Sequence, residues 1–310
     1  MPKTSKNATF TLNQISGVNA VDIPAEWEKL DASELSGTLM VVGAPDVGKT
    51  TFARYLFKRL DAGKSRRGYL DGDPGQSSLG PPCTMSLTAA KDENDAFPPA
   101  GETWRYFVGS VSPTGHMLPV LTGAARLVAA AKEAAISTIV YDTNGFVDPG
   151  LGGFYLKMAE IDLLKPQVIF AIQRQQELES LLIPLRRSKR THVIDLPMSP
   201  DAQRRERPFR QEYRAQSFAR YFQSSAFLRI NWRSFVIFPT PHFMLHQLVA
   251  LEDARGFTLG LGIVEEIDRI FSQVYLRTPL HSLDEVDAIR VGDVAVDPET
   301  FRDRRLNRKS

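Results

Sequence analysis

Residues 43–51, GAPDVGKTT, set two glycines, a lysine and a threonine at the spacing G-x-x-x-x-G-K-[ST]. That spacing makes a phosphate cradle. Gly43 and Gly48 let the backbone curl so that its N–H groups face an anion at the positive end of a following helix. Ala44, Pro45, Asp46, Val47 and Thr51 complete the loop around a nucleoside triphosphate. Lys49 is expected to reach the β and γ phosphates, and the Thr50 hydroxyl to hold Mg²⁺. The bland alternative is an ordinary glycine turn, and the flanks argue against it. An apolar run (GTLMVV, 37–42) enters the loop, and Phe52, Leu56 and Leu60 recur at helical spacing beyond it. ATP is the expected nucleotide, with GTP as a second candidate because no base-specific pocket is marked.

What receives the phosphoryl group must be read elsewhere. The stretch 70–82, LDGDPGQSSLGPP, follows the second predicted strand, at the carboxyl edge of the sheet where ligands of such folds bind. Transfer to an alcohol needs a group to accept its proton, and Asp73 is placed for that role. The alternative is a turn aspartate capping Pro74-Gly75. Asp142, at the end of the third predicted strand, is the rival carboxylate for the metal. Asp142-Thr143-Asn144-Gly145 also matches the D-x-x-G of a GTPase switch, yet no asparagine in the chain is followed by lysine, so the N-K-x-D base reader is missing.

From Arg174 to Arg220 ten arginines and Lys189 stand against six acids, a local excess of five positive charges in a chain whose formal net charge is +2. A solvated helix face or an RNA-backbone patch is the ordinary meaning of such a run. Pro208 suits the first turn of a helix and pushes Arg207 toward an extended conformation, and Arg210 then sits near the positive helix end, where the dipole disfavours cations. Guanidinium groups there fit a moving γ-phosphoryl, so Arg207 and Arg210 are candidates for offsetting transition-state charge.

With these stretches in view, the chain resembles the polynucleotide 5′-hydroxyl kinase family, which includes archaeal RNA kinases and kinases of eukaryotic tRNA-splicing, mRNA-cleavage and pre-rRNA-processing complexes. GAPDVGKTT, LDGDPGQSSLGPP, FVGSVSPTGH (107–116), DTNGFVDPGLGG (142–153), the arginine-rich 204–222 and GFTLGLGIVEEID (256–268) carry the likeness in order. The resemblance implies Mg²⁺ and the attacking hydroxyl at Asp73, with Gln76 beside them. It implies a clasp on the terminal nucleotide at Thr143, Gly145 and Phe146, where tryptophan is the commoner aromatic. Phenylalanine still stacks on a base. It also implies a mobile arginine-bearing lid at about 200–222. The substrate so implied is the 5′ end of RNA or DNA. A small-molecule P-loop kinase is the leading alternative, and a weakly active ATP-bound scaffold of an RNA-processing complex is another.

The elements that must hold these groups are legible in outline. Strands are predicted at 37–42, 68–70, 136–142 and 167–172, and helices from Thr50 to about Leu60 and from about 152 to 164, stopped by Lys165-Pro166. Asp-Ala-Gly at 61–63 is expected to end the first helix. Alternating strands and helices predict an α/β P-loop kinase domain with a mostly parallel sheet covered on both faces. FTLGLGIV (257–264) and AIRVGDVAVD (288–297) predict a small β-rich C-terminal domain. The expected division is an N-terminal extension over 1–34, the kinase domain over 35–232 and the β-rich domain over 233–310. Hydrophobic content of 43% and charged content of 24% are those of a soluble globular chain. Cys83 is the only cysteine, which excludes an internal disulfide and fits a cytoplasmic setting. No apolar run nears the roughly 18 residues of a membrane span, and the first residues lack the apolar stretch of a secretory signal. Protein partners are not indicated.

Overall fold

The computed structural model describes residues 9–10, 21–60, 66–92, 95 and 97–306. The expected helix end at 61–63 lies outside them. In chain order the elements are β1 (Thr9–Phe10), β2 (Val21–Asp22), α1 (Ala25–Glu28), β3 (Gly37–Gly43), α2 (Lys49–Arg59), β4 (Arg67–Gly72), β5 (Thr84–Ala89) and β6 (Thr103–Phe107). Then come α3 (Met117–Glu133), β7 (Thr138–Thr143), α4 (Gly153–Leu164), β8 (Val168–Ile172), α5 (Glu179–Arg187), β9 (His192–Leu196) and α6 (Arg207–Tyr221). The chain closes with β10 (Ala226–Asn231), β11 (Val236–Phe238), β12 (Gln247–Glu252), β13 (Thr258–Asp268), β14 (Gln273–Thr278), β15 (Ala288–Val296) and β16 (Asp303–Arg305). This is a mixed α/β fold with two large sheets.

Two units share the chain: 1–70, 88–102 and 128–205 form the first, and 71–87, 103–127 and 206–310 the second. In the first, strands follow the order β4-β7-β3-β8-β9. β3 runs parallel to β7 and to β8, and β8 parallel to β9. Leu39 to Val42 and Val168 to Ile172 are all buried, which is why both strands read as unbroken apolar runs. α2 lays Phe52 and Leu56 on this sheet, and the Phe52 ring sits 5.0 Å from that of Phe170. Trp27 of α1, fully buried, meets Phe52 edge-on at 5.1 Å and donates from Nε1 to Pro197 O. A residue within the expected N-terminal extension is therefore part of this core.

The second unit carries a sheet in the order β10-β14-β13-β12-β15-β11, with β16 on β15. All its pairs are antiparallel except β11 with β15. Alternate residues go to opposite faces. Leu248, Ala250, Leu261 and Ile263 meet Phe218 and Phe222 at the end of α6, while Val249, Leu251, Val264 and Leu276 meet Ile230 and Phe243. Both faces are covered, so FTLGLGIV lacks the alternation of a half-exposed strand. α3 has no counterpart in the sequence expectations. Its Gly123 lies against Tyr106 and Met85, where a Cβ would come within 2.7 Å of the Tyr106 ring.

Candidate functional site

The cradle is a loop between two well-held elements. β3 delivers Gly43, where a Cβ would stand 2.4 Å from Ile172 O and 2.7 Å from Val47 Cγ2, so only glycine fits. Gly48 caps α2 with φ of 95°, and Asp46 also takes a positive φ, 61°. Lys49 opens α2, is buried, and donates from Nζ to Ala44 O at 2.7 Å. Thr50 and Thr51 follow in the first turn, both half-buried. Asp46 is braced from two sides: Arg174 Nη2 donates to its carbonyl at 2.8 Å, and Arg205 N to its Oδ2 at 2.9 Å.

The loop after β7 leans on this cradle. Asp142 pairs with Val41 of β3 and is buried, its Oδ2 accepting from Tyr69 Oη at 3.1 Å. Thr143, also buried, donates from Oγ1 to Val41 O at 2.7 Å. Gly145 is pressed on the cradle itself, since a Cβ there would lie 2.7 Å from Pro45 N and 2.9 Å from Pro45 Cα. Phe146 comes next, half-buried. The structure thus brings Gly145 to the phosphate loop, with Thr143 bound to β3 just before it and Phe146 the next residue in the chain. Gly145 is what permits the approach.

Behind Phe146 stands a group of buried polar residues that the sequence reading missed. Lys157 and Glu160, both fully buried on α4, pair at 2.9 Å. Lys157 Nζ also donates to Asn144 Oδ1 at 3.2 Å, and Tyr141 Oη to Glu160 Oε1 at 2.7 Å. Asn144 Oδ1 accepts the Phe146 N–H as well, at 3.2 Å. A Lys and Glu three apart on a helix read as a solvated pair from sequence. Here they hold the backbone of the Phe146 loop.

In the second unit, LDGDPGQSSLGPP forms a loop organised by Asp71 rather than Asp73. Asp71 is buried, and its Oδ2 accepts from the Ser77 hydroxyl, both the N–H and the hydroxyl of Ser78, and the Leu79 N–H. Burial pushes its carboxyl above the usual range, against the pull of those N–H groups. Asp73 is half-buried; its Oδ1 accepts from Gly75 N at 2.8 Å and Gln76 N at 3.1 Å. The turn-capping geometry is therefore present. Among the described residues no donor reaches Asp73 Oδ2.

α6 begins at Arg207, with Pro208 in its first turn, so Arg207 and Arg210 lie at the positive helix end. Gln76 Nε2 donates to Arg210 O at 3.4 Å and Tyr213 Oη to Ser77 O at 3.0 Å, so the start of α6 meets the Asp73 loop. Arg207 is exposed. Arg214 is committed elsewhere: it forks onto Asp303 at 2.8 and 3.1 Å. Arg186 likewise bridges Glu179 and Asp195. Part of the basic run thus ties elements together.

Comparison with known proteins gives the chain its family. The family described as mRNA cleavage and polyadenylation factor CLP1 P-loop matches residues 43–224. A polyribonucleotide 5′-hydroxyl-kinase of Pyrococcus horikoshii is 29% identical over 242 residues, covering 78% of this chain and 64% of that protein, just under two thirds of its length. One of Pyrococcus abyssi is 24% identical, covering 87% of this chain and 90% of its own. The fold is similar to a chain in a solved complex of Clp1p with Pcf11p, at a TM-score of 0.65 and 13% identity, covering 87% of this chain and 77% of that one. The family match takes in the cradle, the Asp73 loop, the Phe146 loop and α6, and the chain belongs to the CLP1 P-loop family.

Proposed function

We propose that this chain is an ATP-dependent kinase that transfers the γ-phosphate to the 5′-hydroxyl of RNA, with a DNA 5′ end as a second acceptor. One observation carries the reading: an aromatic loop is seated on the phosphate cradle through Gly145, which leaves no room for a Cβ against Pro45. A cradle alone serves any phosphoryl transfer. An aromatic side chain beside it suits an acceptor that carries a base. The names of the archaeal relatives, polyribonucleotide 5′-hydroxyl-kinases, support RNA as that acceptor.

Each group has a proposed task. Lys49 and the loop N–H groups bind and orient the triphosphate. The Thr50 hydroxyl and the carboxylates of Asp142 and Asp73 are hard oxygen donors, the chemistry that suits Mg²⁺. Thr50 lies in the first turn of α2, and Asp142 lies near the end of β7, which pairs with the strand feeding the cradle. When bound, the metal neutralises charge on the phosphates. Asp73 accepts the proton of the attacking hydroxyl at its Oδ2, while Oδ1 keeps the turn. Gln76, Thr143 and Phe146 position the terminal nucleotide. Arg207 and Arg210 offset the charge that develops on the moving phosphoryl. No covalent enzyme intermediate is called for, and catalysis rests on positioning and electrostatics.

The test is transfer from γ-labelled ATP, with Mg²⁺, to a 5′-hydroxyl oligoribonucleotide, beside the same strand carrying a 5′-phosphate. Label on the hydroxyl form alone is the expected result. Label on both, or on neither, sinks the proposal.

A further inference from the structure

The loop FVGSVSPTGH has no task in the reading so far, yet it touches the Asp73 loop. Gly75 is packed so closely that a Cβ would lie 2.5 Å from Val111 O. The loop is then tied to the C-terminal sheet. Asp293 N donates to Gly109 O at 2.8 Å, and His116 Nε2 lies 3.0 Å from Asp293 Oδ2. Its tip, Thr114 and Gly115, is exposed, and Gly115 takes a φ of 77°. Thr114 Oγ1 accepts from Ser112 Oγ at 3.2 Å, which directs the Thr114 proton elsewhere.

Beside this tip stands Arg305. It pairs through β16 with Val294, it is exposed, and its Nη2 lies 3.3 Å from where a Gly115 Cβ would be. In a strand, Arg305 shares its face with Asp303, the residue gripped by Arg214 of α6. Asp303 thus has its cation, whereas among the described residues Arg305 has neither carboxylate nor hydrogen-bond acceptor. A guanidinium without a carboxylate, beside a bare glycine backbone whose preceding residue is a threonine, is suited to a phosphodiester.

The geometry points to a phosphate-backbone subsite at Thr114, Gly115 and Arg305, which takes a phosphodiester of the acceptor strand beyond its 5′-terminal nucleotide. The inference rests on the proposed kinase reading for its direction: the strand leaves Asp73 and crosses the 110–116 loop. It makes the second unit's sheet part of acceptor recognition.

The experiment uses the full chain, a fluorescent 5′-hydroxyl octaribonucleotide followed by anisotropy across a salt series, and label transfer to acceptors of increasing length. Arg305→Ala is expected to weaken octanucleotide binding about tenfold, the low end for a hydrogen bond to a charged group. The slope of log affinity against log salt should shrink by about 0.7, one phosphate contact on a single strand. Arg305→Lys should restore the slope, and the affinity gained from mononucleotide to octanucleotide should narrow in Arg305→Ala alone. Unchanged salt slope and length dependence in Arg305→Ala overturn the subsite, as does failure of the wild type to bind the strand. If the wild type binds but transfers no label, while Arg305→Ala still binds less, the kinase reading falls and the subsite stands.

Discussion

At the scale of single residues, the assignments divide by what each side chain already does in the fold. Asp73 uses one carboxylate oxygen to cap its own turn, through the Gly75 and Gln76 N–H groups. Asparagine offers the same Oδ1 but no charge. If Asp73 accepts the hydroxyl proton, Asp73→Asn should bind ATP normally and lose roughly two or more orders of magnitude in kcat. Single-turnover transfer reads this directly, and a nearly normal rate would reduce Asp73 to a turn cap. Asp142→Asn belongs beside it, because Asp142 is the other carboxylate proposed for Mg²⁺. A silent Asp73→Asn with a dead Asp142→Asn would move the role. Phe146 is the second test. It is half-buried at the end of a loop held by Asn144 and Lys157, so the backbone does not depend on its ring. Phe146→Ala should cost the oligonucleotide KM about 1–3 kcal/mol, one stacking contact, with little change in the KM for ATP. Phe146→Trp should keep or improve affinity. Equal losses for both substrates would mean that the ring supports the cradle instead of a base.

At the scale of elements, Arg186 of α5 links its own helix to β9 by pairing with Glu179 and Asp195. Hydrogen bonds from Arg186, then from Gln173, lower the Glu179 carboxyl from 4.5 to about 2. A depressed carboxyl stabilises the fold above its unfolded value and loses that contribution as pH falls towards the folded one. Glu179→Gln should therefore be less stable than wild type at neutral pH, with the gap closing between about pH 4.5 and 2. Urea unfolding at several pH values checks it, and a gap that does not depend on pH would assign the loss to packing. The pair sits at the edge of the fold, partly open to solvent, so screening keeps the effect small. The same elements mark what a sequence reveals. β3, β8, the end of α4 at Lys165 and strands β13 and β15 were legible, because apolar runs and breakers act locally. β5 was not: Thr84, Ser86 and Thr88 give it a surface pattern, yet all are buried, and Thr84 turns inward to bond Pro81 O. Asp71, Lys157 and Glu160 escaped for a related reason. Their partners are set by the fold, while their residue types alone suggest water. The cradle and the Phe146 loop were legible because glycine spacing records close backbone approach. The contact of Gly145 with Pro45 needed coordinates.

At the scale of the molecule, charge decides how a nearly neutral protein can hold a polyanion. The chain carries 38 basic and 36 acidic residues, and its basic run is smaller in effect than in count. Within it Arg186 is taken by Glu179 and Asp195, Arg190 faces Asp162, and Arg214 is held by Asp303. Outside it Arg277 pairs with Glu265 and Arg290 with Glu252. A broad basic face would neutralise many phosphates and give a steep salt dependence. Arginines already matched to carboxylates release no counterions when a strand binds. On the proposed reading a strand meets the start of α6 and Arg305, a handful of cations. Each phosphate contact on a single strand adds about 0.7 to the slope of log affinity against log salt, so a handful predicts a slope shallower than about −3. Stacking at Phe146 adds affinity without adding slope. Anisotropy with a 5′-hydroxyl oligoribonucleotide over a potassium chloride series measures both. A slope well beyond −3 would mean that the paired arginines exchange their carboxylates for phosphates, and that the run from Arg174 to Arg220 binds as one surface. A shallow slope with tight binding would place recognition at the strand's end, as a 5′-hydroxyl kinase requires.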